Sequence, residues 1–92
     1  MIRSFRCAET EHLFVHGNAK KWASIKDVAV RKLTMLDAAT DIRDLSSPPG
    51  NNLEALKGSR QGQHSIRINA KYRICFVWST TGPEHVEIVD YH

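Results

Sequence analysis

The chain has 92 residues, 41% of them hydrophobic and 25% charged, with a formal net charge of +3. That length holds one domain (residues 1–92) with a small core, and the composition excludes intrinsic disorder and fibrous repeats. No apolar run approaches the ~20 residues that span a bilayer, and no long apolar stretch follows Met1-Ile2-Arg3-Ser4-Phe5-Arg6. Neither a membrane segment nor a secretory signal is therefore expected, and the expected location is the cytoplasm.

In chain order, Ile2 and Phe5 make residues 1–6 a candidate first strand. Thr10-Glu11 suits a helix N-terminus and Leu13-Phe14 supplies an apolar side, so residues 8–14 are expected to form a short helix that Gly17-Asn18 stops. Lys20-Lys21-Trp22 reads as a loop. Ser24 is the expected N-cap of a second helix, with Asp27 in its first turn. Its buried face is Ile25, Val28, Ala29, Leu33 and Leu36, with Val30 and Met35 beside them; Lys26, Arg31 and Lys32 are expected to face solvent. A weak turn at 41–45 and a loop at 46–52, rich in Ser, Pro, Gly and Asn, follow.

Beyond Asn52 the texture is that of strands, at 53–56, 64–68, 72–78 and 86–89, with a turn at 58–62 and a break at 80–83. Strand, helices and then hairpin-linked strands predict an α+β fold. Its antiparallel sheet has four to five strands, with two N-terminal helices packed on one face. The cysteines, Cys7 and Cys75, are far apart and belong to no C-x-x-C pair. They read as reduced thiols, Cys75 as a small core residue.

Charge is unevenly spread. Between Lys57 and Arg73 lie Arg60, Arg67 and Lys71, and no acid. Such an excess is either a footprint for a polyanion or an ordinary solvated surface. Alternation puts Arg67 beside Ser65 on the face opposite Ile66, and Arg73 opposite Ile74, so these cations converge on one sheet face. His64, at the edge of this window, is either an RNA contact or, as is commoner, an ordinary surface histidine. Phe76 and Trp78 have the pattern of a buried face. Asp90-Tyr91-His92 is either a polar tail or a proton-transfer set, since an acid, a phenol and an imidazole all serve that chemistry. His12 and His16 stand four apart without a third ligand at a metal-site spacing, so no metal site is expected.

Several stretches together resemble the HigB branch of the RelE-type toxins, the plasmid-maintenance killer proteins. They are Met1-Ile2-x-Ser4-Phe5, Leu53-Glu54-x-Leu56-Lys57-Gly58-x-Arg60-x-Gly62, Ser65-Ile66-Arg67-Ile68-Asn69-x-x-Tyr72-Arg73-Ile74-Cys75-Phe76-x-Trp78 and Val86-x-Ile88-x-Asp90-Tyr91-His92. The resemblance covers essentially the whole chain. It implies a microbial-RNase-like fold and a toxin of a type II toxin–antitoxin system that cleaves mRNA on the 70S ribosome. It implies no cofactor, a HigA-like helix-turn-helix antitoxin as partner, and operator DNA bound only through that complex. The family's functional positions fall on Lys57, Arg73, Asp90, Tyr91 and His92; the basic window adds Arg60, Arg67, Lys71 and His64 as expected RNA contacts. Glu54 stands where some members carry His, Ser59 where an acid is common and His64 where an aromatic is common. The chemistry implied is attack of a ribose 2′-hydroxyl on the adjacent phosphate, without a metal. The alternative is a catalytically inactive module of the same fold that binds RNA or antitoxin.

Overall fold

The structure is a computed structural model that describes residues 1–90; Tyr91 and His92 lie outside the described residues. It is α+β. Helix α1 spans Ala8–His16 and α2 spans Lys26–Ala38. Strands β1 (Glu54–Ala55), β2 (His64–Arg67), β3 (Tyr72–Ser79) and β4 (Gly82–Asp90) form an antiparallel sheet in sequence order. Short hairpin links dictate that order, because a parallel pairing would need a crossover of a dozen residues or more.

The first helix runs two residues past its expected end. Gly17 closes it with φ 75°, a left-handed conformation that glycine adopts without a Cβ penalty, and its N–H donates to the Leu13 carbonyl. The approach to α2 differs from the sequence reading. Residues Lys20–Ile25 form a 3₁₀ turn that runs directly into the helix, and no side chain caps α2. Ser24 therefore lies inside that turn and does not cap α2, whose preceding residue is Ile25 at φ −119° and ψ 10°. Trp22 breaks the turn at φ −112° and is buried, its ring edge-on to Tyr72 with centroids 5.6 Å apart.

Lys32 is the larger correction on α2: it is only 6% exposed and does not face solvent. Ala29, Lys32, Leu33 and Leu36 occupy positions i, i+3, i+4 and i+7, which form one stripe on a helix. The weak turn at 41–45 is a 3₁₀ turn, Ile42–Ser46, capped reciprocally by Asp41 and Asp44.

Residues 1–6 do not become a fifth strand. Phe5 makes one parallel bridge to Val86, and Arg3 N–H and Arg6 N–H donate to the carbonyls of Pro83 and Val86 at 2.8 and 3.0 Å. The ladder goes no further because β4 is irregular here. His85 has φ 54°, and the β3–β4 register shifts between Cys75 and Val77.

Leu13, Leu33 and Leu36 from the helices join Ile66, Ile74, Phe76, Val86 and Ile88 from the sheet in one buried cluster. Helix and sheet are further tied by the Ile88 N–H, which donates to Thr10 Oγ1 at 3.1 Å inside that core. Cys75 is buried, as expected, but strand alternation turns it away from this cluster, onto the opposite sheet face.

Candidate functional site

The sheet face turned away from the core is built from two rows. Glu54, Ser65, Cys75 and Glu87 stand in register across all four strands. Arg67, Arg73 and Val89 form the row beside them. The alternation of His64-Ser65-Ile66-Arg67 and Arg73-Ile74-Cys75 produces this. Isoleucines go to the core, and the residues between them go to the other face.

Arg73 donates to a side chain and to a backbone carbonyl. Its Nε–H donates to Ser65 Oγ at 2.8 Å and its Nη2 donates to the Asn52 carbonyl at 2.6 Å. Arg67 lies directly opposite, and its Nε–H donates to the Asn69 carbonyl at 3.1 Å. Both arginines thus rise from the same sheet face, as the alternation predicts, and their guanidiniums reach different acceptors. Arg60 reaches the same face from the 3₁₀ turn Gly58–Arg60. Its Nη1 donates to Glu87 Oε2 and to Gln63 Oε1, each at 3.2 Å. Arg6 adds a longer pairing to the same Glu87 oxygen, at 3.8 Å. One carboxylate therefore lies against the arginines, a partial neutralisation that the acid-free sequence window concealed.

Burial pushes the Cys75 thiol above its usual range, and Glu87 adds to that, while Arg60 and Arg73 oppose it. A thiol so placed is a neutral packing group and not a nucleophile.

Lys57 is exposed at the junction of β1 and the 3₁₀ turn, close in sequence to Glu54 on the edge strand. Among the described residues no hydrogen bond or ion pair ties its ammonium. Asp90 ends β4 in register with Tyr72, and Lys71 Nζ lies 3.8 Å from its Oδ2. Lys71 also sits 5.3 Å from the Tyr72 ring centre, so its charge is shared between an acid and an aromatic face. His64 does not join the arginines. It is in register with Phe76, on the other face, and its ring stacks on Phe76 with centroids 6.3 Å apart. Tyr91 and His92, the other two members of the expected site, lie outside the described residues.

Sequence reasoning missed the buried pair behind this site. Lys32 Nζ donates to Asn51 Oδ1, and both side chains are buried. Burial, and secondarily Arg31, lowers the Lys32 ammonium from its ordinary 10.5. The signal was available in the spacing of Lys32 from Ala29 and Leu36.

Chemically, the described site is a set of fixed guanidiniums with a neighbouring lysine and a strand-end carboxylate. That defines a small α+β domain with several charged hydrogen-bond donors on one sheet face. The chain belongs to the family of RelE-like toxins of the type II toxin–antitoxin system HigB, whose model matches residues 3–92. It is 48% identical over 56 residues to Toxin HigB-1 of Vibrio cholerae serotype O1, a stretch covering 61% of this chain and 59% of that protein. It is 41% identical over 54 residues to an uncharacterized protein of Haemophilus influenzae, covering 59% of this chain and 54% of that one. The matched stretch thus spans between half and two thirds of these relatives' lengths. No helix among the described residues is long and apolar enough to cross a membrane.

Proposed function

We infer that residues 1–92 act as a single toxin domain, an endoribonuclease that cuts mRNA positioned on the ribosome and so stops translation. The observation that carries this reading is the Arg67–Arg73 pair on the sheet face, with Arg73 anchored by Ser65 and Asn52. A fixed guanidinium is suited to a phosphate whose charge grows in the transition state.

The reaction is a transphosphorylation. A ribose 2′-oxygen forms a bond to the adjacent phosphorus, the bond from phosphorus to the 5′ oxygen breaks, and the products are a 2′,3′-cyclic phosphate and a 5′-hydroxyl. Arg73 and Lys57 offset the added charge on phosphate, and Arg67 holds the neighbouring backbone. Arg60 and Lys71 add to the field that draws RNA in. His92 transfers the proton, Asp90 orients it or assists as base, and Tyr91 stacks on or hydrogen-bonds the substrate. Glu54 offers a carboxylate as a proton acceptor, and the acid's part falls to His92. The ribosome supplies substrate alignment, a term large enough to make the isolated domain a poor nuclease. The partner that restrains the toxin is a HigA-like helix-turn-helix antitoxin, and operator DNA is bound through that complex. The site of action is the cytoplasm, where ribosomes and mRNA meet.

The test is cleavage of ribosome-bound mRNA by the purified chain, with a 2′-deoxy nucleotide placed at the mapped cut. Cleavage abolished by the deoxy substitution and slowed on the order of 100-fold by Arg73→Ala or Lys57→Ala supports the reading. Binding to ribosomes without cleavage would make the chain an RNA-binding module instead.

A further inference from the structure

Asn51 is fully buried, and its side chain is engaged at both ends. Nδ2 donates to the carbonyls of Leu45 at 3.0 Å and Ser47 at 3.3 Å, and Oδ1 accepts from the buried Lys32 ammonium. Buried amides and ammonium groups persist only when paired, because an unpaired one forfeits its hydration without replacement. This trio therefore fastens the segment from Leu45 to Asn51 onto α2. Two 3₁₀ turns lie in or next to that segment, Ile42–Ser46 and Pro49–Asn51, and Asn52 follows in a left-handed conformation at φ 45° and ψ 54°. The Asn52 carbonyl is the one that accepts from Arg73 Nη2.

The connection is short. Lys32 holds Asn51, Asn51 and the Asn52 N–H bond to the Pro49 carbonyl fix where Asn52 begins, and the Asn52 carbonyl holds one end of the Arg73 guanidinium. Ser65 Oγ holds Nε. Two contacts on a rigid planar group set both its position and its plane, which is what recognition of a phosphate requires.

We propose that Asn51, braced by Lys32, is a positioning residue for Arg73, acting through the Asn52 carbonyl. Its consequence for cleavage rests on the reading of Arg73 as the phosphate-binding cation. Misplacement of a charge-stabilising group by about an ångström costs on the order of 10- to 100-fold in rate.

Two variants and one control test this. Lys32→Met/Asn51→Leu replaces both partners by apolar side chains of similar size, so that neither is left as an unpaired charge. Asn51→Asp keeps the size and the acceptor for Lys32 but loses every hydrogen bond that Nδ2 donates, to Leu45, Ser47 and Met35, and it serves if the double variant does not fold. Arg73→Ala is the control. Two quantities are read in each folded variant: the Arg73 Nε–H resonance by ¹⁵N NMR, and kcat and KM for mRNA cleavage on ribosomes.

The expected result is a shifted, faster-exchanging Arg73 Nε–H signal, unchanged amides in the β3–β4 hairpin, and kcat lower by about 10- to 100-fold at an unchanged KM. An Arg73 signal at its parental position overturns the positioning role. So does a parental kcat in a folded variant while Arg73→Ala is inactive. If the signal moves while Arg73→Ala itself cleaves normally, the positioning stands and the catalytic reading of Arg73 fails.

Discussion

Arg67 on β2 and Arg73 on β3 stand directly opposite each other, two guanidiniums in one cross-strand pair. Like charges so placed destabilise a sheet. Each arginine is steadied by neutral acceptors, Arg67 by the Asn69 carbonyl and Arg73 by Ser65 and the Asn52 carbonyl. Their heads lean to different acceptors, which leaves both cations on the face where a polyanion is proposed to bind.

Arg67→Gln should therefore separate stability from function. The melting temperature should be unchanged or higher, because a repulsive pair is relieved. Association with single-stranded RNA should weaken, and the slope of log K against log salt should flatten by about 0.7, the release expected for one phosphate contact. Titrations at several salt concentrations measure this. An unchanged slope would remove Arg67 from the RNA contacts.

A second expectation concerns the N-terminal segment. A Cβ on Gly82 would lie 2.5 Å from the Met1 carbonyl oxygen, and Gly82 has φ +130°, which L side chains rarely adopt. Gly82→Ala should cost about 1–3 kcal/mol, from backbone strain and the displaced first residues. Chemical denaturation reads it, with Gly62→Ala as a comparison: Gly62 also has positive φ, but its Cβ meets nothing within 4 Å. Equal losses in the two variants would assign the cost to backbone strain and not to the contact with Met1.

Strand alternation was legible because the isoleucines mark it. Ile66 and Ile74 locate the core face, and Arg67 and Arg73 follow on the other side. Of the four to five strands expected, four form: Ile2 and Phe5 pack on the core, but His85 and the register shift interrupt the ladder that would make residues 1–6 a strand. Lys32 was misjudged because its charge was weighed above its position on the buried stripe. Its partner, Asn51, lies in a loop, where composition carries no contact information. Glu87, outside the basic window in sequence, reaches Arg60 only through the β3–β4 pairing.

Thiol chemistry should divide the two cysteines. Cys75 is fully buried with its thiol pushed up by burial, and Cys7 is partly accessible. An alkylating reagent at neutral pH should modify Cys7 in the folded protein and Cys75 only after unfolding, since the thiolate is the reactive form. Mass spectrometry of partially alkylated protein gives the order. Modification of Cys75 at the rate of Cys7 in native buffer would show that the Arg60–Glu87 cover opens readily.

The proton-transfer assignment rests on two residues that differ in what they can do. Asp90 ends β4, with Lys71 3.8 Å away, and both side chains are about half exposed, so their pairing contributes little to stability. A carboxylate in that setting can accept a proton or orient a neighbour. An imidazole can both accept and donate a proton near neutrality, and the proposed reaction gives that part to His92. His92→Gln should lower cleavage on ribosomes by about 100-fold or more while the protein melts at the parental temperature. Asp90→Asn should lower it less, because a carboxamide still accepts a hydrogen bond from a neighbouring imidazole. The pH–rate profile adds a check that stability does not influence. The limb near neutral pH should persist in Asp90→Asn and vanish in His92→Gln. Parental cleavage by a folded His92→Gln, together with an inactive Asp90→Asn, would transfer the proton step to Asp90.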